Sequence, residues 1–148
     1  MVRIKKQSFE QAVNHFIQSG TSRARRLVWS YLNQLPTIYF VQCGRRESPV
    51  PWIVFEEEVP TAMVFTQQAQ ALRVAKQMIE DNSEVRIIGL PMNAASMYMT
   101  AIAAQGVERV CFDHGPKRFD ASMDEVLLAL SSMKRDTKNL TDEASTDM

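Results

Sequence analysis

Asp113 and His114 are neighbouring residues whose side chains could take part in chemistry together. They follow the apolar run 107–112, which predicts a strand, and open α/β sheets bind ligands at the carboxyl ends of their strands. A carboxylate beside an imidazole can orient the ring or stabilise its charged form. No serine or cysteine nucleophile is assigned to the pair by sequence, so we expect no catalytic residue. Asp-His-Gly-Pro is also a favourable turn sequence. A turn is therefore the favoured interpretation, and a ligand site is the alternative.

Thr66 and Gly89 are two further candidates for ligand binding, because each stands near the end of a predicted strand. Thr66 precedes an alanine-rich helical segment, and we expect its side chain to cap that helix. Gly89 begins a segment that connects a strand to a helix, which is where phosphate-binding loops occur. That segment has neither the Gly-x-Gly-x-x-Gly nor the Gly-Lys-Ser/Thr pattern, and Pro91 lacks an amide proton. A structural loop is favoured over an anion site.

The cysteines and histidines predict no metal site and no cofactor. Cys43 and Cys111 lie in apolar runs without Cys-x-x-Cys spacing, so we expect two reduced, buried thiols. His15 has no second histidine four residues further on, which favours a surface or interface histidine over a metal ligand. The run 56–58, three glutamates, is typical of a solvated turn between strands.

The candidate residues for contact with a protein partner lie on two predicted helical segments. Trp29 falls outside the main apolar stripe of its helix, so we expect part of an aromatic surface to stay exposed there, with basic residues at its rim. Met97 and Tyr98 fall off the inward face of the helix over 91–105, and such a pair suits a partner surface. The expected partner-binding residues are Trp29, Arg23, Arg25, Arg26, Met97 and Tyr98.

Overall charge and hydropathy exclude several classes of partner. Seventeen basic and 17 acidic residues give a formal net charge of zero, so bulk electrostatics predicts no nucleic-acid binding. An acidic partner or a phosphate could still bind the arginine cluster of the second helix (Arg23, Arg25 and Arg26) or the separate pair Arg45 and Arg46. No apolar run approaches the ~20 residues that span a bilayer. The basic N-terminus leads into an amphipathic helix rather than a signal peptide, so we expect a cytoplasmic protein without membrane contact.

Hydrophobic periodicity predicts an α/β (α+β) fold with an N-terminal helical hairpin over about residues 8–35. Ser8 begins a capping box, and Gly20 and Pro36 end the two helices of this hairpin. We expect a single domain over residues 1–135 and a flexible polar tail over 136–148. Three later helices are expected over 67–80, 91–105 and 122–134.

The sheet is expected to have about five strands in mixed orientation. β-branched and aromatic runs predict strands over 38–42, 52–55, 62–65, 85–88 and 109–112. Short connections favour an antiparallel meander for the first three strands, with a polar loop over 44–49. The expected core residues of the strands are Phe40, Val54, Val64, Ile87 and Val110. On the helix over 67–80 we expect the inward face to be Leu72, Ala75, Met78 and Ile79.

Three short motifs resemble the N-terminal domain of the SseB (enhanced serine sensitivity) family. They are the tract 38–40, the run from Val59-Pro60 to Phe65-Thr66 with an immediate alanine-rich helix, and Gly106-Val107-Glu108-Arg109-Val110 before the last strand. The resemblance covers roughly residues 37–130 and leaves out the N-terminal hairpin. It implies a small α/β module without an established catalytic centre, so no family site residue can be carried over.

Together, the absent catalytic motifs and the resemblance favour a non-catalytic binding or regulatory module that acts through protein–protein contacts, including possible self-association into a homodimer. The alternative is a small-molecule-binding protein, or an enzyme, with its site at the carboxyl ends of the strands. A surface pocket that holds Asp113 and His114 beside a hydroxyl such as Thr66 or Ser96 favours the alternative. A flat apolar patch on the N-terminal helices favours the first hypothesis.

Overall fold

The computed structural model describes residues 2–79 and 84–130, and side chains from residue 9 onward. It contains five helices and seven strands within this part of the chain. The helices are α1 (Val2–Ser19), α2 (Ser22–Asn33), α3 (Gln68–Met78), α4 (Met92–Ala104) and α5 (123–130). The strands are β1 (Ile38–Arg45), β2 (Ser48–Pro51), β3 (Ile53–Glu56), β4 (Val59–Phe65), β5 (Glu84–Leu90), β6 (Arg109–Phe112) and β7 (Phe119–Ser122).

All seven strands belong to one mixed sheet, which confirms the α/β class. β1 pairs in antiparallel fashion with β5 on one side and with β2 and β4 on the other. β4 pairs in antiparallel fashion with β3 and in parallel with β6, and β7 closes the series beside β6. The five expected strands are all present. The prediction missed β2 and β7, and the simple meander is wrong because β1 pairs directly with β4 rather than with β3.

Alternation along the strands divides the apolar side chains between two cores. Phe40 of β1 points to the face covered by α1, α2, α4 and α5, whereas Val41 points to the face covered by α3. Among the expected core residues, Phe40, Val64 and Val110 are buried, while Val54 and Ile87 are half-buried. The strands thus separate a large core from a smaller one.

The sheet forks at Trp52, between β2 and β3. The Trp52 backbone N–H donates to the Val41 carbonyl at 2.9 Å, and its own carbonyl accepts from the Met63 N–H at 3.5 Å. β2 therefore stays with β1 and β3 stays with β4, so that two hairpins diverge from one residue. The indole is buried in the smaller core, which holds the branch point in place.

The segment over 44–49, expected to be a loop, belongs to a hairpin whose second strand tolerates two prolines. The Trp52 N–H faces β1, so the two-residue period of a strand turns Pro49 and Pro51 to the outer edge of β2. Proline has no backbone N–H, but because the outer edge of β2 pairs with no described strand, no hydrogen bond of the sheet is lost there. The same prolines prevent β2 from pairing outward, which is a common way of protecting an exposed strand edge.

Several helix expectations need correction. α1 begins at Val2, so Ser8 lies inside the helix rather than at its cap. Thr21 caps α2, because its hydroxyl accepts from the Ala24 N–H at 3.1 Å. On α3 the buried residues are Ala71, Val74 and Ala75, whereas Leu72 and Met78 are exposed. The inward face of α3 is therefore rotated from the predicted one, because small residues lie closest to the strands.

Two expectations fall on residues that lie outside the described part of the chain. They are the end of the last helix, predicted to reach residue 134, and the polar tail over 136–148. Within the described ranges, none of the helices combines the length and apolar character that crossing a bilayer requires.

Candidate functional site

Thr66 and Asp113 meet at the carboxyl ends of β4 and β6, the parallel pair of strands. Each residue directly follows its strand, and Val64 is in register with Phe112. The Asp113 carboxylate accepts the Thr66 backbone N–H at Oδ1 (2.8 Å) and the Thr66 hydroxyl at Oδ2 (2.6 Å). The Asp113 N–H donates to the Val64 carbonyl at 2.9 Å, which extends the β ladder by one bond. Two of the predicted ligand residues are thus held as one unit.

This geometry corrects the expected role of Thr66. The residue at the N-terminus of α3 is Gln67, and it makes no side-chain capping bond. The Thr66 hydroxyl donates to the carboxylate, which is the stronger acceptor because it is ionisable and lies 2.6 Å away. The threonine thus fastens two strand ends together.

Burial and neighbouring charge act on Asp113 in the same direction. Burial raises the pKa of the Asp113 carboxyl, and the nearby Glu10 carboxylate raises it further. The two hydrogen bonds from Thr66 lower this pKa but do not cancel the effect of burial. The backbone at Asp113 is left-handed, with φ of 55°, a conformation that aspartate and asparagine tolerate better than most residues. The carboxylate therefore occupies a place where a cationic partner would stabilise its charged form.

Asp113 opens into a cleft of about 250 Å³ between α1, α3 and the loop that follows β6. We call this the strand-end cleft. Its apolar lining comes from Phe9, Val13 and Pro116, and its polar lining from the side chains of Glu10, Gln70, Asp113 and Lys117. The amide of Gln67 donates to Glu10 at 3.3 Å, which helps to hold that carboxylate beside the cleft. The volume suits a small ligand of a few heavy atoms rather than a cofactor.

His114 and Gly89 lie apart from the lining of this cleft. His114 is half-buried, makes no hydrogen bond within the described residues, and does not line the cleft. Gly89 belongs to β5, paired with Tyr39, instead of a loop before α4. A Cβ atom at Gly89 would lie 2.9 Å from the Tyr39 ring and from the Thr37 methyl group. Close packing of the Tyr39 ring over β5 therefore accounts for this glycine.

Trp29 and Arg25 form an internal network instead of an exposed partner surface. Trp29 is only 8% exposed, and its indole N–H donates to Glu125 Oε2 at 2.7 Å. Arg25 donates from Nε and Nη2 to the two oxygens of the same carboxylate, both at 2.6 Å. The guanidinium also lies over the rings of Phe16 and Phe119, at 5.1 and 4.7 Å from their centroids. The expectation of an exposed aromatic surface around Trp29 is wrong.

The other expected partner residues differ in their exposure. Arg23 and Arg26 are exposed on α2, as is His15 on α1. Met97 is 72% exposed, but Tyr98 beside it is half-buried and packs edge-on against Phe40 with centroids 4.7 Å apart. The Met97–Tyr98 pair is thus split between solvent and core.

Burial acts on both thiols, and the acidic groups of the described residues are not placed together as metal ligands. Cys111 is fully buried and Cys43 is half-buried, so only the first matches the expectation of burial. Burial raises the pKa of both thiols, which makes them poor nucleophiles at neutral pH. Within residues 2–79 and 84–130, no group of three histidine, cysteine or acidic side chains is placed to hold a metal ion.

Comparison with protein-family models finds no match to the chain, and comparison with curated proteins finds none either.

Sequence reasoning missed the contributions of Glu10, Gln70 and Lys117 to the strand-end cleft. These residues come from α1, α3 and the loop after β6, and nothing in their spacing indicates a common site. One sequence pattern indicated Glu125, the helix-capping box Ser122-Met123-Asp124-Glu125. In the structure the Ser122 hydroxyl accepts the Glu125 N–H at 3.1 Å. The Glu125 carboxylate binds Arg25 and Trp29.

Proposed function

We propose that this chain is a non-catalytic binding module whose strand-end cleft takes a small organic ligand with an ammonium group. The observation that carries the proposal is the placement of two carboxylates, Asp113 and Glu10, beside one small, partly apolar cleft. The pocket expected of a small-molecule site holds Asp113 and His114 beside a hydroxyl such as Thr66 or Ser96. Asp113 lines the cleft and is bonded to Thr66, whereas His114 does not line it. Burial of Trp29 removes the main support for a partner surface on the N-terminal hairpin.

Charge favours a cationic ligand over an anionic one. Glu10 and Asp113 lie close enough that one carboxylate raises the pKa of the other, so their like charges repel. An ammonium group between them would relieve this repulsion and replace water as the donor to the free lone pairs of Asp113. Lys117 is exposed, so its ammonium group remains largely in water.

The apolar lining selects for the rest of the ligand. Phe9 and Val13 are buried residues of α1, and they present a fixed hydrocarbon surface next to the carboxylates. A short alkyl chain attached to the ammonium group would remove apolar area from water at about 25 cal/mol per Å². A primary amine with three to five carbons is the simplest compound of this description, by the scale of small-ligand sites.

Catalysis receives no support from the same residues. The Thr66 hydroxyl donates to the Asp113 carboxylate and so fastens two strand ends, and burial raises the pKa of both thiols. The resemblance to the SseB N-terminal domain, which rests on the three short motifs, leads to the same proposal of a binding module.

Calorimetric titration with n-butylammonium chloride tests the proposal, and sodium butyrate is the size-matched control of opposite charge. Asp113→Asn keeps the shape of the side chain and removes its charge, while Asp124→Asn removes a charge from an exposed position of α5. We expect saturable binding of the amine, about tenfold weakening by Asp113→Asn and none by Asp124→Asn. Equal heats for the amine and the carboxylate, or equal effects of the two variants, would contradict the proposal.

A second candidate function is protein contact through the hairpin of β3 and β4, which keeps the original hypothesis of a protein-interaction module at a different surface. Phe55 at this hairpin is 73% exposed. All four residues of β3 are in register with β4, and Phe55 lies opposite Pro60, which has no N–H to donate. The backbone groups of Phe55 and Ile53 therefore turn outward, and no described strand occupies that edge. An added strand from a second copy would find both backbone bonds and an aromatic contact there.

Sedimentation of the intact chain beside Phe55→Ser tests this second candidate. We expect association of the native chain and a monomeric variant, because the substitution removes the exposed aromatic surface without touching a core residue. Leu128→Ser removes a similarly exposed side chain from α5 and serves as the control. A native chain that stays monomeric at high concentration would contradict self-association through this edge.

A further inference from the structure

A polar groove of about 390 Å³ lies near the opposite end of β1 from the strand-end cleft. We call it the arginine groove. Three arginines line it, and they come from three places: Arg45 from the end of β1, Arg46 from the turn before β2, and Arg86 from β5. The groove is also lined by Gln42, Cys43 and Glu84. Neither the fold nor the strand-end cleft requires three cations at this place.

The sheet holds the walls of the arginine groove in position. Arg86 is in register with Gln42, so the two side chains project from the same face of neighbouring strands. The Gln42 amide donates to the Tyr98 hydroxyl at 3.3 Å, and the Tyr98 ring packs on Phe40. On the other side, the two-residue turn between Arg45 and Ser48 fixes where the hairpin bends.

The charge of the arginine groove is strongly positive. Among the lining residues that belong to the described ranges, Glu84 is the one acidic residue, against three arginines. Within the described residues the paired arginines are Arg25 and Arg118, and none of the groove arginines has an ion-pair partner there. All three arginines are exposed, so their side chains can turn toward a polyanion in the groove, which their positive charges attract.

We propose that the arginine groove binds a small soluble ligand that carries a phosphate or diphosphate group. The planar guanidinium group donates two parallel N–H bonds to a pair of phosphate oxygens, which is why arginine dominates phosphate recognition. A volume of about 390 Å³ accepts a diphosphate together with a small organic group. The ligand class and the site both differ from those proposed for the strand-end cleft, so a negative result for one proposal does not contradict the other.

Titration with inorganic pyrophosphate at fixed ionic strength tests this site. Arg86→Gln removes one groove charge, and Arg73→Gln removes one from the exposed surface of α3. We expect Arg86→Gln to weaken pyrophosphate binding about tenfold and Arg73→Gln to leave it unchanged, because the contact is local and not a general effect of charge. Equal weakening by both substitutions, or no saturable binding up to about 10 mM, would overturn the proposal.

Cys43 supplies a second measurement on the native chain, which does not depend on whether a variant folds. It lines the arginine groove and is half-buried, whereas Cys111 is fully buried and will not interfere. Cys43 packs on the α3 face of β1, opposite to Gln42 and Arg86, so bound pyrophosphate should act on it through charge. By raising the pKa of the thiol it should slow alkylation by uncharged iodoacetamide about twofold. An unchanged rate at saturating pyrophosphate would overturn the proposal. Protection by phosphatidylglycerol vesicles that pyrophosphate cannot reproduce would also overturn it, in favour of a membrane surface.

Discussion

Glu125→Gln removes the carboxylate that joins α2 to α5, and its cost can be worked from three hydrogen bonds. In the native chain Glu125 accepts Arg25 Nε and Nη2 at 2.6 Å each and the Trp29 indole at 2.7 Å. A glutamine oxygen at the place of Oε2 keeps the bonds from Arg25 Nε and the Trp29 indole, but the amide NH2 then faces Arg25 Nη2, so that one bond is replaced by a repulsive contact between two donors. Bonds to a charged group contribute about 1.5–3 kcal/mol when one partner is removed.

Partial exposure reduces this figure. The Arg25 and Glu125 side chains are 27% and 31% exposed, so solvent screens part of their attraction. Trp29 is buried, and a glutamine oxygen can still accept its indole N–H. We therefore expect Glu125→Gln to lower the free energy of unfolding by about 2 kcal/mol at pH 7.

The pH dependence follows from the direction of the pKa shift. Burial raises the pKa of Glu125, but the bonds from Arg25 and Trp29 and the arginine charge outweigh it and leave the pKa below its ordinary value. The network therefore stabilises the fold above the pKa that Glu125 has in the unfolded chain. That stability is lost as the pH falls through the lowered folded pKa, so the variant and the native chain should converge in acid.

Urea unfolding at pH 7 and in acid measures both effects, with Asp124→Asn as the matched loss of one charge at the adjacent, exposed position. The control should change the free energy of unfolding by less than about 0.5 kcal/mol. Equal costs for the two substitutions at pH 7, or a cost of Glu125→Gln that persists in acid, would refute the reasoning from the network.

Three further predictions concern other parts of the fold. Asp113→Asn should hardly change the free energy of unfolding at neutral pH, because asparagine tolerates the left-handed backbone and burial raises the pKa of the native carboxyl. The stability that the protonated Asp113 contributes to the native chain is lost as the pH rises through this raised pKa, so urea unfolding should show the variant gaining stability relative to the native chain from acid to neutral pH. Gly89→Ala should cost about 1–3 kcal/mol through its clash with the Tyr39 ring, and unfolding of a double variant with Tyr39→Leu should recover part of that loss. Iodoacetamide should label Cys43 slowly and Cys111 only after unfolding, as mass spectrometry of the native chain would report.

Strands with an uninterrupted apolar or β-branched run could be predicted from the sequence, and the two that were missed lack such a run. β2 contains two prolines in four residues, and from sequence alone such a segment indicates a loop. It can be recognised as a strand only when the neighbouring strand that accepts its remaining N–H groups is known. β7 alternates over only four residues and ends at Ser122, which also caps the next helix. Local patterns could not distinguish these strands from turns.

The candidate site shows a different limit. Thr66 and Asp113 are 47 residues apart, and only the parallel pairing of β4 with β6 brings them together. Parallel neighbours are chosen by the path of the crossover rather than by short-range signals, so the sequence could suggest each residue but not their bond. Trp29 was misplaced for a related reason. Its position on the helix is peripheral to the apolar stripe, and the partly buried Glu125 carboxylate that accepts the indole N–H comes from a distant part of the sequence.

The most direct test of the proposed function is a nitrogen–proton correlation titration with n-butylammonium, followed at the Thr66 amide. This N–H donates to Asp113 Oδ1 at 2.8 Å, so an ammonium group bound to the carboxylate must change its environment. The strand-end cleft predicts a saturable shift at Thr66, together with the amides of Phe9 and Gln70, and no such shift with butyrate or in Asp113→Asn. A Thr66 amide that stays in place at saturating amine, or that moves equally with butyrate, would contradict the account.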